Sequence, residues 1–319
     1  MDDGHPGSDL WRGVAAAASD ASGTMETVSE QLIGRLAAGE AEAMAEEYGL
    51  RRIGVRPRLG IYLHDLWTRR HFIRVLATST AYAHNQKNYL GQLWAVLNPL
   101  LNAVVYFLIF GVVLQTNRGV DNFVAFLTIG VFMFGFSASA ITTGSKAITS
   151  NLGLVRSLHF PRAVLPLAVV FTELIELLPA LVVMCGIVLL TGEPITVDWL
   201  LFPIVVVLQW MFSTGCAFIA VRLVAWARDV LNLIPLGLRF LRYASGVFFN
   251  ISAYLGDSWL GAVMEYQPLA LYLTLARSAL MSEGTHDPVA WAFGVGWAVL
   301  FLVGGFLLFW QAEERYGRD

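Results

Sequence analysis

Six stretches of the chain stay apolar for about twenty residues or more, approximately Trp94 to Leu114, Phe123 to Thr143, Ala163 to Leu190, Leu200 to Trp226, Leu231 to Leu255 and Val289 to Trp310. A helix rises 1.5 Å per residue, so about 20 apolar residues cross the roughly 30 Å of bilayer hydrocarbon, where no water satisfies an unpaired backbone group. The pattern predicts an all-α integral membrane fold with six transmembrane helices. The third to fifth stretches are long enough to tilt or to overrun the bilayer.

Two further segments are patterned but too short or too broken to cross. From Tyr62 to Leu76 a helical wheel places Tyr62, Leu66, Ile73 and Leu76 on one face and His64, Thr68 and His71 on the other, with Arg70 and Arg74 flanking. This predicts an amphipathic helix lying on the membrane surface, with the Arg69 head snorkelling away from the apolar face. Between Ser252 and Pro288, Trp259, Leu260, Val263, Met264, Leu269, Leu271, Tyr272 and Leu275 alternate with Gly and Pro. That segment is too apolar for an open loop, and short re-entrant or capping helices are predicted there.

Composition supports the membrane assignment and adds an orientation. Of 319 residues, 56% are hydrophobic and 14% charged, with a mean hydropathy of +0.61, against about 25% charged in a soluble domain. The net charge of −3 is unevenly spread: residues 1–50 carry ten acidic residues against Arg12 and Arg35, and the remainder carries nineteen basic against fourteen acidic. Residues 1–50 therefore read as an acidic cytoplasmic tail, 51–93 as interface helices and 94–319 as the membrane domain. Eight basic residues lie between Arg51 and Lys87, three between Lys146 and Arg162, Arg222 and Arg228 flank the fourth-to-fifth connection, and Arg315 and Arg318 follow the last span. The opposite loops offer Arg118 and Arg277. Because cytoplasmic flanks retain Lys and Arg, both termini are expected inside. Asp2 and Asp3 in place of a basic, then apolar, cleaved signal agree with that expectation. Trp94, Trp199, Trp226 and Trp310 fall at span ends, as interfacial rings do. Cys185 and Cys216 sit in apolar runs and suggest neither a disulfide nor a metal site. Nineteen arginines against Lys87 and Lys146 point to a GC-rich bacterial genome.

The motifs exclude more chemistry than they supply. Gly144, Ser145 and Lys146 lack the earlier glycine of a phosphate-binding loop, so ATP is not expected to bind here by that route. No His/Glu zinc pattern occurs, and no acidic pair suited to a sugar-nucleotide metal lies in the loops. A membrane-embedded glycan-processing enzyme is thus unsupported. More informative are Tyr89, Leu90, Gly91, Gln92, Leu93 and Trp94, followed by Leu97, Asn98 and Pro99, which place a glycine and a polar-then-proline kink at the first span. Between the second and third spans, Asn151, Leu152, Gly153, Leu154, Val155 and Arg156, then Phe160, Pro161 and Arg162, form a short amphipathic segment stopped by proline.

In order and spacing these features resemble the ABC-2 permease subunits, in particular the branch exporting lipid-linked polysaccharides such as O-antigen, teichoic acid and galactan precursors. The resemblance covers roughly residues 65–319. It is carried by the basic surface helix, Leu90 to Pro99, Asn151 to Arg162, Arg228-Asp229 before the fifth span, and Pro268 to Arg277. Gln267 stands where the family often has Asn before the outer proline. The resemblance implies an inner-membrane homodimer paired with two copies of a separate ATPase that binds ATP and Mg, with no cofactor in this chain and no nucleic acid. It implies that Asn151, Leu152, Leu154, Arg156, Phe160, Pro161 and Arg162 form the coupling segment. It further implies that Tyr89, Leu90, Gly91, Trp94 and Pro99 form the cytoplasmic gate, and that Gln267, Pro268 and Arg277 belong to an outer gate. A polyprenyl-diphosphate-linked glycan, such as a cell-wall galactan or an O-antigen-like polymer, is the implied cargo; a drug or lipid is the alternative.

Tyr106, Phe107, Phe132, Phe134, Phe136, Phe248, Phe249 and Tyr254 are candidate channel aromatics, since sugar rings stack C–H faces on such surfaces; packing is the competing role of each. Ionisable residues in a span cost at least about 2.5 kcal/mol and normally have partners. Glu173 and Glu176 share one helical face roughly 15 Å from the Ala163 edge, and Arg239 lies roughly 12 Å from the Leu231 edge with Arg242 three residues on. Matched depth predicts a Glu–Arg pair between the third and fifth spans, within a subunit or across the dimer. The rival role for the arginines is contact with a substrate diphosphate.

Overall fold

The computed structural model describes residues 58–85, 91, 93–115, 119–157, 160–256, 258–282, 287–313 and 316. The predicted acidic tail and the gate residues Tyr89 and Leu90 lie outside the described residues. Among those described, every element is helical. In chain order they are α1 Leu59–Thr68, α2 Arg70–Asn85, α3 Leu93–Tyr106 continuing into π-helical turns over Phe107–Val113, α4 Phe123–Ser145, α5 Leu152–Ser157 and α6 Val164–Leu190. They continue with α7 Phe202–Trp226, α8 Val230–Ala244, α9 Ile251–Leu255, α10 Trp259–Tyr266, α11 Pro268–Leu280 and α12 Pro288–Gln311.

Local chemistry starts several of these helices. Asn122 accepts a hydrogen bond from the Ala125 N–H at the head of α4, and Asp287 accepts one from Val289 N–H at α12. Pro268 and Pro288 open α11 and α12, where a missing N–H costs nothing. Among the described residues, five segments are long and apolar enough to cross a membrane: Val96–Val113, Phe123–Ser145, Val164–Leu190, Val197–Trp226 and Pro288–Gln311.

The predicted continuous span over 231–255 is different. Its helix, α8, stops at Ala244 after 15 residues. The chain then bends at Gly246, whose φ of +65° suits a residue without Cβ, and passes through Phe248 to the short α9. The apolar run of Val247, Phe248 and Phe249 hid this break in the sequence pattern. The predicted surface helix is also divided, into α1 and α2 at Arg69, and α2 runs on to Asn85. The predicted short helices after residue 251 are α9, α10 and α11. Of these, α11 is buried among α4, α7 and α12 and is a core element.

The core centres on α4 and α7. A Cβ on Gly215 of α7 would overlap the Phe301 carbonyl of α12, and one on Gly305 would overlap the Gly215 carbonyl. The two glycines thus let these backbones touch, the close small-residue approach that membrane helices use in place of a hydrophobic driving force. Gln209 of α7, fully buried, donates to Met133 O and Ser137 Oγ of α4, each at 2.8 Å, and Ser137 meets Ser213 at 3.0 Å. A second apolar cluster gathers Tyr62, Ile148, Leu165, Phe218, Phe309 and Tyr316 around the end of the bundle that carries the basic flanks.

Candidate functional site

Helices α3, α4, α6 and α8 enclose a cleft of about 330 Å³. From α3 come Trp94, Asn98, Pro99, Asn102 and Tyr106, and from α4 Phe132, Phe134, Phe136 and Ser139. The third wall is Glu173, Glu176, Leu177 and Ala180 of α6, with Arg242 of α8 and Val247 closing the space. Arg242 Nη1 donates to Tyr106 Oη at 2.9 Å, and its guanidinium lies 5.3 Å from the Phe134 ring centre. Glu173 is buried and accepts from Thr143 Oγ1 at 2.9 Å. Behind this wall Phe248 stacks on Phe110 at 4.3 Å and touches Tyr106 and Tyr243 at 4.7 and 5.3 Å. Aromatic faces, amides, two carboxylates and a guanidinium converge here, a lining suited to a polar, hydroxyl-rich or anionic group within an apolar body.

Of the four predicted intramembrane charges, Glu173, Glu176 and Arg242 line this cleft. Arg242 meets Tyr106 and the Phe134 ring, whereas Arg239 lies on the exposed face of α8.

At the basic end, α5 follows a 3₁₀ turn over Thr149–Asn151, and Asn151 Nδ2 donates back to Ala147 O at 2.8 Å. Leu152, Leu154, Val155 and Phe160 pack on the second apolar cluster, while Gly153, Arg156 and Ser157 face outward. The underside of α5 is thus anchored, and its other side, which carries Arg156, is exposed. Phe160 packs edge-on against Phe72 of α2 with ring centres 6.0 Å apart, Pro161 is buried, and Arg162 N–H donates to Glu313 Oε1 at 2.9 Å.

At the opposite end the break after α8 is held by two residues predicted to form an outer gate. Gln267 Nε2 donates to Ala244 O at 2.7 Å. Arg277 donates to Gly246 O at 3.0 Å, to Val247 O at 3.2 Å and to Phe126 O, with its guanidinium 3.3 Å from the Phe126 ring centre. These donors satisfy carbonyls that a helix break would otherwise leave bare. Pro268 starts the helix that carries Arg277. Glu193 ties three loops at this end, accepting from Asn122 Nδ2 at 2.9 Å and from Ser282 N–H and Oγ at 2.8 Å each.

The sequence profile of the ABC-2 type transporter family matches residues 72–281, about two thirds of the chain, and spans α2 through α11. The chain belongs to this family. A protein of Myxococcus xanthus described as an O-antigen export system permease protein is 27% identical over 225 residues, covering 70% of this chain and 86% of the relative. A Klebsiella pneumoniae protein of the same description is 27% identical over 259 residues, covering 80% and 95%.

Within this ABC-2 chain, four of the eight candidate channel aromatics line the cleft, namely Tyr106, Phe132, Phe134 and Phe136. Phe107 packs against the core, Phe248 lies behind the wall, and Phe249 faces a second pocket beside Arg277. Tyr254 is exposed and edge-on to Phe249 at 5.6 Å. Of the gate residues, Trp94 and Pro99 line the cleft, and Gly91 lies just before α3. Sequence reasoning missed Asn102, Ser139 and Thr143 as partners of the cleft, although amides and hydroxyls within a span were a usable signal. It also missed Tyr62 and Glu313. Burial pushes the Tyr62 hydroxyl well above its ordinary value, as does the adjacent Glu313. Burial likewise raises Glu313, opposed by hydrogen bonds from Arg162 and Tyr62. Glu193 behaves oppositely: burial pushes it up, but the donors from Ser282 and Asn122 outweigh that and hold it below its ordinary value.

Proposed function

We propose that the chain is the membrane-spanning subunit of an ATP-driven exporter, carrying a polyprenyl-diphosphate-linked polysaccharide, O-antigen-like or a cell-wall galactan, from the cytoplasm across the bacterial inner membrane. The observation that carries this reading is the cleft, whose aromatic faces, amides, carboxylates and Arg242 sit between two helices with exposed apolar outer surfaces. The O-antigen export relatives support the cargo class. In this reading the five long helices and α8 make six crossings with both termini in the cytoplasm. The 15 residues of α8 rise roughly 22 Å, and the Gly246 to Phe249 segment completes the depth.

Two copies form the conduit. The outer face of α8 exposes Leu233, Leu236, Phe240 and Tyr243 together with Arg239. A guanidinium held against lipid tails costs at least about 2.5 kcal/mol, so this face meets water or a second subunit. Helix α3 exposes a similar apolar face through Leu101, Val104, Val105 and Leu108. Arg239 and Arg242 then lie on successive sides of α8, one toward the partner copy and one in the cleft, within reach of a passing diphosphate. A separate ATPase binds ATP and Mg and docks on α5, and its closure shifts the bundle between two packings.

The test is reconstitution of the purified chain with and without its partner ATPase. The chain alone should hydrolyse no ATP, and the complex should hydrolyse ATP and export glycan. Arg156→Glu combined with Leu152→Ala should uncouple hydrolysis from export while membrane insertion stays normal. ATP turnover by the isolated chain, or export indifferent to these substitutions, would overturn the reading.

A further inference from the structure

We propose that Glu313 is the positioning residue of energy coupling, locking the coupling segment, the surface helix α1 and the end of α12 into one body. The inference rests on the reading above, in which an ATPase pushes on α5. It goes further by naming what receives that push.

Every acceptor of Glu313 is committed. Its Oε2 accepts from Tyr62 Oη at 2.9 Å, its Oε1 accepts from Arg162 N–H at 2.9 Å, and its backbone carbonyl accepts from the Arg162 guanidinium. Tyr62 Oη in turn accepts from Ala163 N–H at 3.1 Å. Glu313 and Tyr62 are 9% and 1% exposed, so this network is shielded from water, where charge-assisted hydrogen bonds are strongest and removal of one partner leaves another buried and bare. It joins residues 251 and 151 positions apart in the chain.

A six-residue helix transmits displacement only if the backbone that follows it is fixed to something stiff. Arg162 and Ala163, which lead into α6, are fixed by Glu313 and Tyr62. Through Glu313 the motion enters α12, whose backbone touches α7 at Gly215 and Gly305. Through Tyr62 it enters α1 and the adjoining α2, which lies along α6. There Thr172 Oγ1 donates to Ala77 O of α2 at 3.2 Å, one residue from Glu173 of the cleft. Contiguity alone does not show coupling, so the measurement must be of coupling itself.

The experiment uses the full chain with its partner ATPase in proteoliposomes and reads ATP hydrolysed and glycan exported in the same sample. Tyr62→Phe removes one oxygen at nearly constant ring volume, and Glu313→Gln removes the charge at constant shape. Each should leave hydrolysis within twofold of the unsubstituted complex and lower glycan exported per ATP at least fivefold. Glu313→Asp should restore part of that ratio. The Tyr62→Phe/Glu313→Gln double variant should be no worse than the poorer single one, because both open the same network. An unchanged ratio in both single variants overturns the proposal, as does a parallel loss of hydrolysis and export, which marks a merely structural role. If Glu313→Gln does not fold, Tyr62→Phe decides alone. An unsubstituted complex without hydrolysis overturns the transport reading and this proposal with it, whereas failure confined to the variants' ratio leaves that reading standing.

Discussion

Helices α7 and α12 meet backbone to backbone, whereas α3 and α8 leave most of their apolar surface outside the fold. Within an 18-residue apolar stretch of Val197–Trp226, 67% of residues are buried, against 6% in Val96–Val113. The first pair is joined by Gly215 and Gly305, and α7 is clasped to α4 through Gln209. The second pair borders a cleft, carries an exposed arginine and includes a helix that ends early. A tight pair admits one packing, because any shift forces backbone atoms into each other. A loosely docked pair around a polar cleft admits more than one, which is what a gated conduit requires. The contrast separates a frame, α4, α6, α7, α11 and α12, from a wall made of α3 and α8.

Adding volume where the frame is tightest should give the largest effect. Gly215→Val places side-chain atoms on the Phe301 carbonyl, and overpacking of this kind costs about 3 kcal/mol or more. Loss of monodisperse protein in detergent is expected on size exclusion with thermal challenge. A variant that melts normally would break the assignment of α7 and α12 as frame. Arg239→Ala on the wall should act in the opposite manner. Its melting temperature should stay within about 2 °C, while export by the reconstituted complex falls about tenfold, the equivalent of roughly 1.4 kcal/mol of lost interaction. A melting shift without an export defect would place Arg239 in the frame.

The smallest expected effect is at the loops tied by Glu193. Its carboxyl is held below the ordinary value of 4.5, so its contribution is complete above that pH and is lost as pH falls through its value in the folded protein. Glu193→Gln should be less stable than the unsubstituted chain by roughly 1 kcal/mol, by the same amount from pH 8 to pH 5. The difference should shrink only below pH 4.5. Thermal melts across that range check it, and a difference that peaks in acid would mean that Glu193 is held in its protonated form.

The sequence by itself determined where the membrane helices lie, because the bilayer imposes one length and one polarity on any segment that crosses it. Five of the six predicted stretches contain long apolar helices. The pattern also placed the amphipathic face of α1, with Tyr62 and Leu66 turned inward, and the packed underside of α5, since each depends on local helical period alone. Tertiary structure decided the rest. The chain leaves its helix at Ser245 because Gln267 and Arg277, more than twenty residues onward, supply donors to the freed carbonyls. Arg242 donates to Tyr106 in the cleft that also holds Glu173 and Glu176, because the rotation of each helix about its axis is set by its neighbours. Nothing in the local pattern joins Tyr62, Arg162 and Glu313 to one another. They act together only because the fold brings α1, the turn before α6 and the end of α12 to one buried point, where an unpaired charge would be too costly to keep.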